Sequence, residues 1–273
     1  MRIRSNGLGR RSMAAKAERH DLYERSVQDP PTEVELVART FKRIRKRNAL
    51  TIREDFCGTA VFSLAWADSH PERQAWGIDL DQPTLDWGYE HRISRAEPEV
   101  AKRVNLLCEN VLAGKGPKTD ITVAFNFSYW LFETRELLRA YFKTARKGLK
   151  KDGLFFLDCF GGTEVPMADD NRRRENGFVY RWEQEFFDAL THHFKCAIHF
   201  EFPDGSSIER AFQYEWRFWT LPEIRELLLE AGFSRVRILW ERTDEDGEGT
   251  GAYYEPKNAD NEGLWWAYII AEP

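Results

Sequence analysis

The segment Glu54-Asp55-Phe56-Cys57-Gly58-Thr59 constrains this chain more than any other. An apolar β-type stretch through Ala49, Leu50 and Ile52 leads into it, a glycine turn breaks it, and a helix-forming sequence follows. Downstream, Gly77-Ile78-Asp79 ends another short strand on a carboxylate, near the roughly 20-residue spacing of a nucleoside site. A strand, a glycine turn and a helix, then a strand ending in an acid, is how an open α/β sheet holds a nucleoside. The glycine lets the backbone approach the ligand, and the acid accepts both ribose hydroxyls.

The rest of the chain supplies the neighbouring units. Apolar periodicity predicts a helix over 14–27 and a second one entered by a capping box at Thr32-Glu33-Val34-Glu35, with Val34, Val37, Phe41 and Ile44 at helical spacing. Strand 49–55 and helix 60–68, strand 74–79 and helix 83–95, strands 104–109 and 120–126, and a helix near 134–149 then follow. Lys150-Lys151-Asp152-Gly153 is expected to close that helix before a fifth strand, Leu154 to Asp158. This alternation predicts an α/β fold: a doubly wound, mostly parallel sheet with helices on both faces.

The pattern breaks after the fifth strand. Phe178, Tyr180 and Trp182, then Phe194, Cys196, Ile198 and Phe200, then Phe212, Tyr214 and Trp216 each alternate with polar residues, which predicts an inserted antiparallel β meander. A second capping box, Thr220-Leu221-Pro222-Glu223, restarts the helical pattern, and strands at 234–241 and 264–271 are expected to form an antiparallel edge. The expected organisation is a disordered start and cover helix over 1–30, a core over 31–160 and 219–273, and a substrate-cover insert over 161–218, for which a homodimer interface is the alternative, non-exclusive reading.

The turn's chemistry selects the nucleoside. The sequence contains neither the G-x-G-x-x-G of a dinucleotide site nor the G-x-x-x-x-G-K-[ST] of a triphosphate site. Glu54 would repel a pyrophosphate but suits a ligand bearing an ammonium and a sulfonium, namely S-adenosyl-L-methionine. Taken with Asp79 and the later Asn126-Phe127-Ser128-Tyr129 segment, the turn resembles the motifs of the class I S-adenosylmethionine-dependent methyltransferases. The resemblance runs from about Pro31 onward and departs from the usual turn at Phe56 and Ala60, where glycines are common.

It implies Glu54, Phe56, Gly58, Asp79, Leu80, Asn110, Val111 and Asn126 at the cofactor: Glu54 on the methionine ammonium, Asp79 on the ribose diol, Asn110 near the adenine amino group. Asp81, ahead of Gln82-Pro83, reads as a helix cap. Asn126 and Tyr129 would meet cofactor or acceptor where the methyl group moves, and His20 and Tyr23 would reach the pocket from the N-terminal helix. The spacing of Asn126 and Tyr129 is that of an amino-methyltransferase motif whose two prolines are missing here.

The expected activity is methyl transfer to a small molecule. A tRNA, nucleobase or protein acceptor, a nicotinamide-dependent dehydrogenase, and a non-catalytic S-adenosylmethionine-binding module are the alternatives; a pocket filled by Tyr129 or Trp130 would favour the last. A net charge of −5 argues against nucleic acid, and the basic run Lys42 to Arg47 reads as a solvated helix end. No apolar run reaches the roughly 18 residues of a membrane helix. Four scattered cysteines fit a reducing cytoplasm and no disulfide framework. His193 and His199 would share a strand face, but no ligand spacing accompanies them and no metal is expected.

Overall fold

Why one sheet face takes α2 while the other takes α6 follows from a single strand. In β5 (Leu149–Gly161), Phe156 joins Val34, Val37 and Phe41 of α2 (Pro30–Arg45) in one apolar cluster, while Phe155 packs against Tyr141 and Phe142 of α6 (Arg135–Gly148). Alternate side chains of a strand point to opposite faces, so two adjacent phenylalanines suffice to clothe both. The computed structural model describes residues 11–244, 249–261 and 263–273. Most of the expected disordered start and part of the acidic segment after Asp244 lie outside these.

The eight-stranded sheet has the order β11-β10-β12-β5-β4-β1-β2-β3. Its parallel part comprises β1 (Thr51–Asp55), β2 (Gln74–Asp79), β3 (Val104–Cys108), β4 (Thr119–Ala124) and β5. Helices α3 (Val61–Asp68), α4 (Gln82–His91) and the short α5 (Pro98–Ala101) alternate with these strands. After α7 (Leu221–Glu230), β10 (Arg235–Thr243), β11 (Gly249–Tyr254) and β12 (Trp265–Glu272) add the expected antiparallel edge, with β12 inserted between β10 and β5. The capping box at Thr220 and Glu223 is present.

The second sheet has the order β6-β7-β8-β9, from β6 (Asp169–Glu175), β7 (Phe178–Phe187), β8 (His193–Glu201) and β9 (Ser207–Arg217). Most of it belongs to a smaller compact unit formed by the chain through Gln28, Met167–Asp188 and Phe194–Glu215; the remainder forms the larger unit. Within the smaller unit, Leu22 of α1 (Arg19–Val27) is buried with Phe178, Ile198, Phe200 and Ala211 of the meander.

Four local expectations are corrected. Helix α2 is capped by Asp29, whose side chain accepts from the Thr32 N–H, with Pro30 and Pro31 in the first turn; Thr32 is not the cap. A proline at the first helical position loses no hydrogen bond, so the helix starts there. The Lys150–Gly153 segment does not close α6: buried Leu149 pairs with Thr119, and the strand begins at once. The helix expected over 14–27 is split into a 3-10 turn, Ala14–Lys16, and α1. Strand β6 was not foreseen, because its run of charged residues has no apolar alternation; the ladder to β7 and the Arg181–Asp170 pair hold it.

Two members of the basic run, Arg45 and Arg47, are paired internally, while Lys42, Arg43 and Lys46 are exposed. Arg45 pairs with Glu272 at 2.8 Å, and Arg47 with Asp120 and Asp152 at 2.8 Å each. Burial works against the Asp120 charge, but the Leu50 and Thr51 amides, Arg47 and Lys150 outweigh it and lower its pKa to about 2.

Candidate functional site

The turn after β1 is built on left-handed backbone. Phe56, Gly58 and Ala60 have φ of 60°, 53° and 59°. Only glycine adopts this region freely, so Phe56 and Ala60 each hold roughly 1–2 kcal/mol of strain. The departures from the family's glycines therefore leave the glycine-like path intact. The turn is fixed by the Cys57 N–H donating to the Ile78 carbonyl at 3.0 Å and by the Phe56 ring against Tyr141 and Phe132. Gly88 of α4 lets that helix lie on the turn, since a Cβ there would sit 2.3 Å from the Thr59 carbonyl oxygen.

Asp79 closes this turn. Its Oδ2 accepts from the Gly58 N–H at 2.8 Å and its Oδ1 from the Asp81 N–H at 2.9 Å, leaving further lone pairs on both oxygens. Next to it, Leu80 is 66% exposed, an apolar side chain beside a carboxylate at the sheet edge. Asp81 occupies the α4 cap position, accepting from the Thr84 hydroxyl rather than from a backbone amide. The carboxyl end of β3 lies alongside, Asp79 pairing with Cys108. Asn110 caps a 3-10 turn through Leu112, and Val111 is buried, so only its backbone can serve a ligand.

Glu54 is buried, and its Oε2 accepts from the Ser63 N–H at 3.0 Å and the Ser63 hydroxyl at 2.5 Å. Burial first, then the charges of Asp79 and Asp55, push its pKa to about 8 against those two bonds. Ser63 was not foreseen; its position in the first turn of α3, facing back to β1, was the available signal.

Asp158, at the carboxyl end of β5, is the main residue that the sequence reading missed as a site group. Its carboxylate accepts from the Asn126 N–H at 2.6 Å and the Phe127 N–H at 3.0 Å. These two amides belong to consecutive left-handed residues, both with φ of 56°. Burial raises the Asp158 pKa to about 7 despite those bonds. The Asn126 N–H is thus committed, leaving its carbonyl and side chain for a ligand.

Tyr129 is a correction. It is fully buried, its hydroxyl donates to the Asp158 backbone carbonyl at 2.8 Å, and its ring packs against Phe142, so it anchors the loop and has no face to stack on an acceptor. Trp130 is equally buried among Phe127, Phe160 and Phe218. His20 and Tyr23 lie in the smaller unit, both against Phe212 of β9. The structure therefore brings together Glu54, Phe56, Gly58, Asp79, Leu80, Asn110, Val111 and Asn126 at the carboxyl edge of β1, β2, β3 and β4, and adds Ser63 and Asp158. Of the two meander histidines, His199 lies between Glu183 and Glu209, and His193 pairs with Glu133. A trough between α2 and α3, lined by Val34, Ala38, Asn48, Ala65 and Arg73, carries none of the site groups.

No protein-family model matches the chain, and no curated protein matches it in sequence. Solved structures do match in fold. An S-adenosylmethionine-dependent methyltransferase from Clostridium acetobutylicum superposes with a TM-score of 0.66 at 18% identity, over 92% of this chain and 96% of its own. An amino pentose methyltransferase from Micromonospora echinaspora, solved with S-adenosylmethionine bound, gives 0.64 at 14% identity over 93% and 96%. A sugar N-methyltransferase from Streptoalloteichus gives 0.60 at 13% identity over 98% of each chain. The chain has the fold of the class I S-adenosylmethionine-dependent methyltransferases.

Proposed function

We propose that this protein transfers a methyl group from S-adenosyl-L-methionine to a small-molecule acceptor. One observation carries the reading: the Asp79 carboxylate is bonded to the Gly58 amide at the turn that β1 leads into, with the second carboxylate, Glu54, one strand away. The donor set suits this cofactor. Asp79 offers two oxygens to a diol, Leu80 an apolar surface to a base, and Glu54 a carboxylate to an ammonium. The cofactor, when bound, supplies an electrophilic methyl group. The protein's task is positioning: a nucleophile held in line gains about 7–11 kcal/mol over free encounter. Asp158 serves that task by fixing the Asn126–Phe127 backbone at the strand end.

The alternatives fare worse. A dehydrogenase would need a turn that accommodates a pyrophosphate, and this turn presents a buried carboxylate instead. A nucleic-acid acceptor would need the basic run, of which Arg45 and Arg47 are spent on Asp120, Asp152 and Glu272. A cofactor-binding module without turnover was to be favoured by Tyr129 or Trp130 filling a pocket, and both are core residues. Small-molecule acceptors are supported by the sugar and amino pentose methyltransferases that share the fold. A cytoplasmic location is supported by four free cysteines. Among the described residues no helix is long and apolar enough to cross a membrane. A homodimer through the meander is supported by the exposed Met167 and Phe186.

Calorimetric titration of S-adenosylmethionine, S-adenosylhomocysteine and NAD tests the reading. Both sulfur ligands are expected to bind and NAD is not, with Asp79→Ala losing at least about tenfold, some 1.4 kcal/mol. Absence of binding to folded, ligand-free protein overturns it. A footprint gives a second check. Cys108 is exposed beside the Asp79 end of β2, whereas Cys57, Cys159 and Cys196 are buried. Exposed thiols react through their thiolates, so maleimide labelling is expected to be confined to Cys108 and slowed severalfold by S-adenosylhomocysteine. Labelling at an unchanged rate would place the nucleoside elsewhere.

A further inference from the structure

Helix α3 begins without a side-chain cap. Ala60 stands at the cap position and has no oxygen to offer the first-turn amides. The amide three residues on, that of Ser63, is one that a cap side chain ordinarily satisfies. Glu54 takes over that task from β1: its Oε2 accepts from the Ser63 N–H at 3.0 Å. Closing a helix end therefore explains one bond between the two residues.

The second bond needs another reason. The Ser63 hydroxyl also donates to Oε2, at 2.5 Å. Ser63 is fully buried, and Phe62, Trp66 and Ala67 of the same helix are buried apolar residues. A helical serine commonly turns its hydroxyl to a carbonyl of the preceding turn. A buried hydroxyl also carries a desolvation cost that alanine avoids. Here the hydroxyl is instead directed at an oxygen that the amide already satisfies.

Two donors on one oxygen fix the direction of the carboxylate and leave Oε1 over. Oε1 accepts no hydrogen bond among the described residues, and it is not among the side-chain atoms sealed from solvent. In register, Glu54 lies opposite Gly77 of β2 and Val123 of β4, which carry no charge. No lysine or arginine pairs with it among the described residues. Burial, then Asp79 and Asp55, favour its protonated form, and both Ser63 bonds oppose them. A carboxylate held by one oxygen, with the other open and no cation at hand, suits an ammonium.

We infer that Ser63 is a positioning residue: it holds Glu54 by Oε2 so that Oε1 meets the amino group of the ligand. It thereby makes the site select a nucleoside thioether bearing an amino-acid chain over the same nucleoside without one. This rests on the methyl-transfer reading above, in which Glu54 faces the methionine ammonium. The amide bond alone would cap α3; the hydroxyl bond sets the direction and the ionisation of the carboxylate.

Affinities of S-adenosylhomocysteine and 5′-methylthioadenosine test this, because the second keeps the nucleoside and the sulfur and lacks the amino-acid chain. Both are measured for the native chain, Ser63→Ala, Glu54→Gln and the double variant. The native chain is expected to prefer S-adenosylhomocysteine at least about tenfold. At pH 7, Ser63→Ala is expected to reduce that preference about fivefold while leaving 5′-methylthioadenosine within about twofold. The deficit is expected to narrow toward pH 9, where Glu54 ionises without help from the hydroxyl. Adding Ser63→Ala to Glu54→Gln is expected to change nothing further. A preference unaltered in Ser63→Ala overturns the assignment. An equal loss of both ligands does the same, as does a loss that persists in the Glu54→Gln background, since either marks a structural role. A native chain that binds both ligands alike overturns it and leaves the nucleoside site standing. One that binds neither fails at the methyl-donor reading itself and takes this inference with it.

Discussion

Replacing Arg53 with methionine is expected to cost about 3–5 kcal/mol of stability. For a chain of this size that is a fall of roughly 10 °C in the melting temperature. Arg53 is 1% exposed, and its Nε donates to Asp55 at 2.5 Å. Asp55 also accepts from the Tyr141 hydroxyl at 2.9 Å, and the Arg53 guanidinium reaches the Lys115 and Val111 carbonyls. Removing the cation strands a buried carboxylate whose pKa burial already raises. Removing both partners, as in Arg53→Met with Asp55→Leu, leaves no orphaned charge and is expected to be less damaging than the single change. Thermal and denaturant melts of the three proteins decide this; a single variant as stable as the parent would show that the pair contributes little. Because Arg53 holds the segment after Asn110, its loss is also expected to weaken nucleoside binding beyond the stability effect.

S-adenosylmethionine affinity is expected to rise on the order of tenfold between pH 6 and 7.5. In the ligand-free protein, burial holds Glu54 at about 8 and Asp158 at about 7. A doubly cationic region of the ligand favours the ionised carboxylates, so binding below those values must first expel protons. That cost shrinks as pH climbs. The same shifts have the opposite sign for the empty fold. An acid raised by folding takes up a proton on folding, so this contribution is fully present below the unfolded pKa, about 4, and is lost as pH rises through about 7 and 8. Calorimetry at pH 6.5 in two buffers of different ionisation enthalpy reads the proton release directly. A flat affinity profile without proton release would separate these carboxylates from the ligand.

Much of this arrangement was legible because backbone chemistry announces itself. The Glu54–Thr59 turn, Gly77-Ile78-Asp79 and the alternating meander each couple residue type to a single period or conformation. Asp158 was harder to read. An acid ending a strand is common, and its role arises from two amides on a different strand's loop, which no local pattern encodes. Tyr129 failed for the reverse reason: a tyrosine in a site loop suggests stacking, yet its direction depends on how α6 covers β5.

The place of β12 has a consequence for how the chain is made. Strands β1 to β5 can pair in the order in which they leave the ribosome, but the outer edge of β5 is covered only when residues 265–272 arrive, more than a hundred positions later. Until then Phe155, Phe156 and Leu157 form an open apolar edge, the kind that templates pairing with another copy. Such long-range closure is slow. Synthesis at reduced temperature or low expression level therefore favours the native sheet over edge-to-edge aggregates, and the yield of soluble protein is governed by the last strand rather than by the site that precedes it.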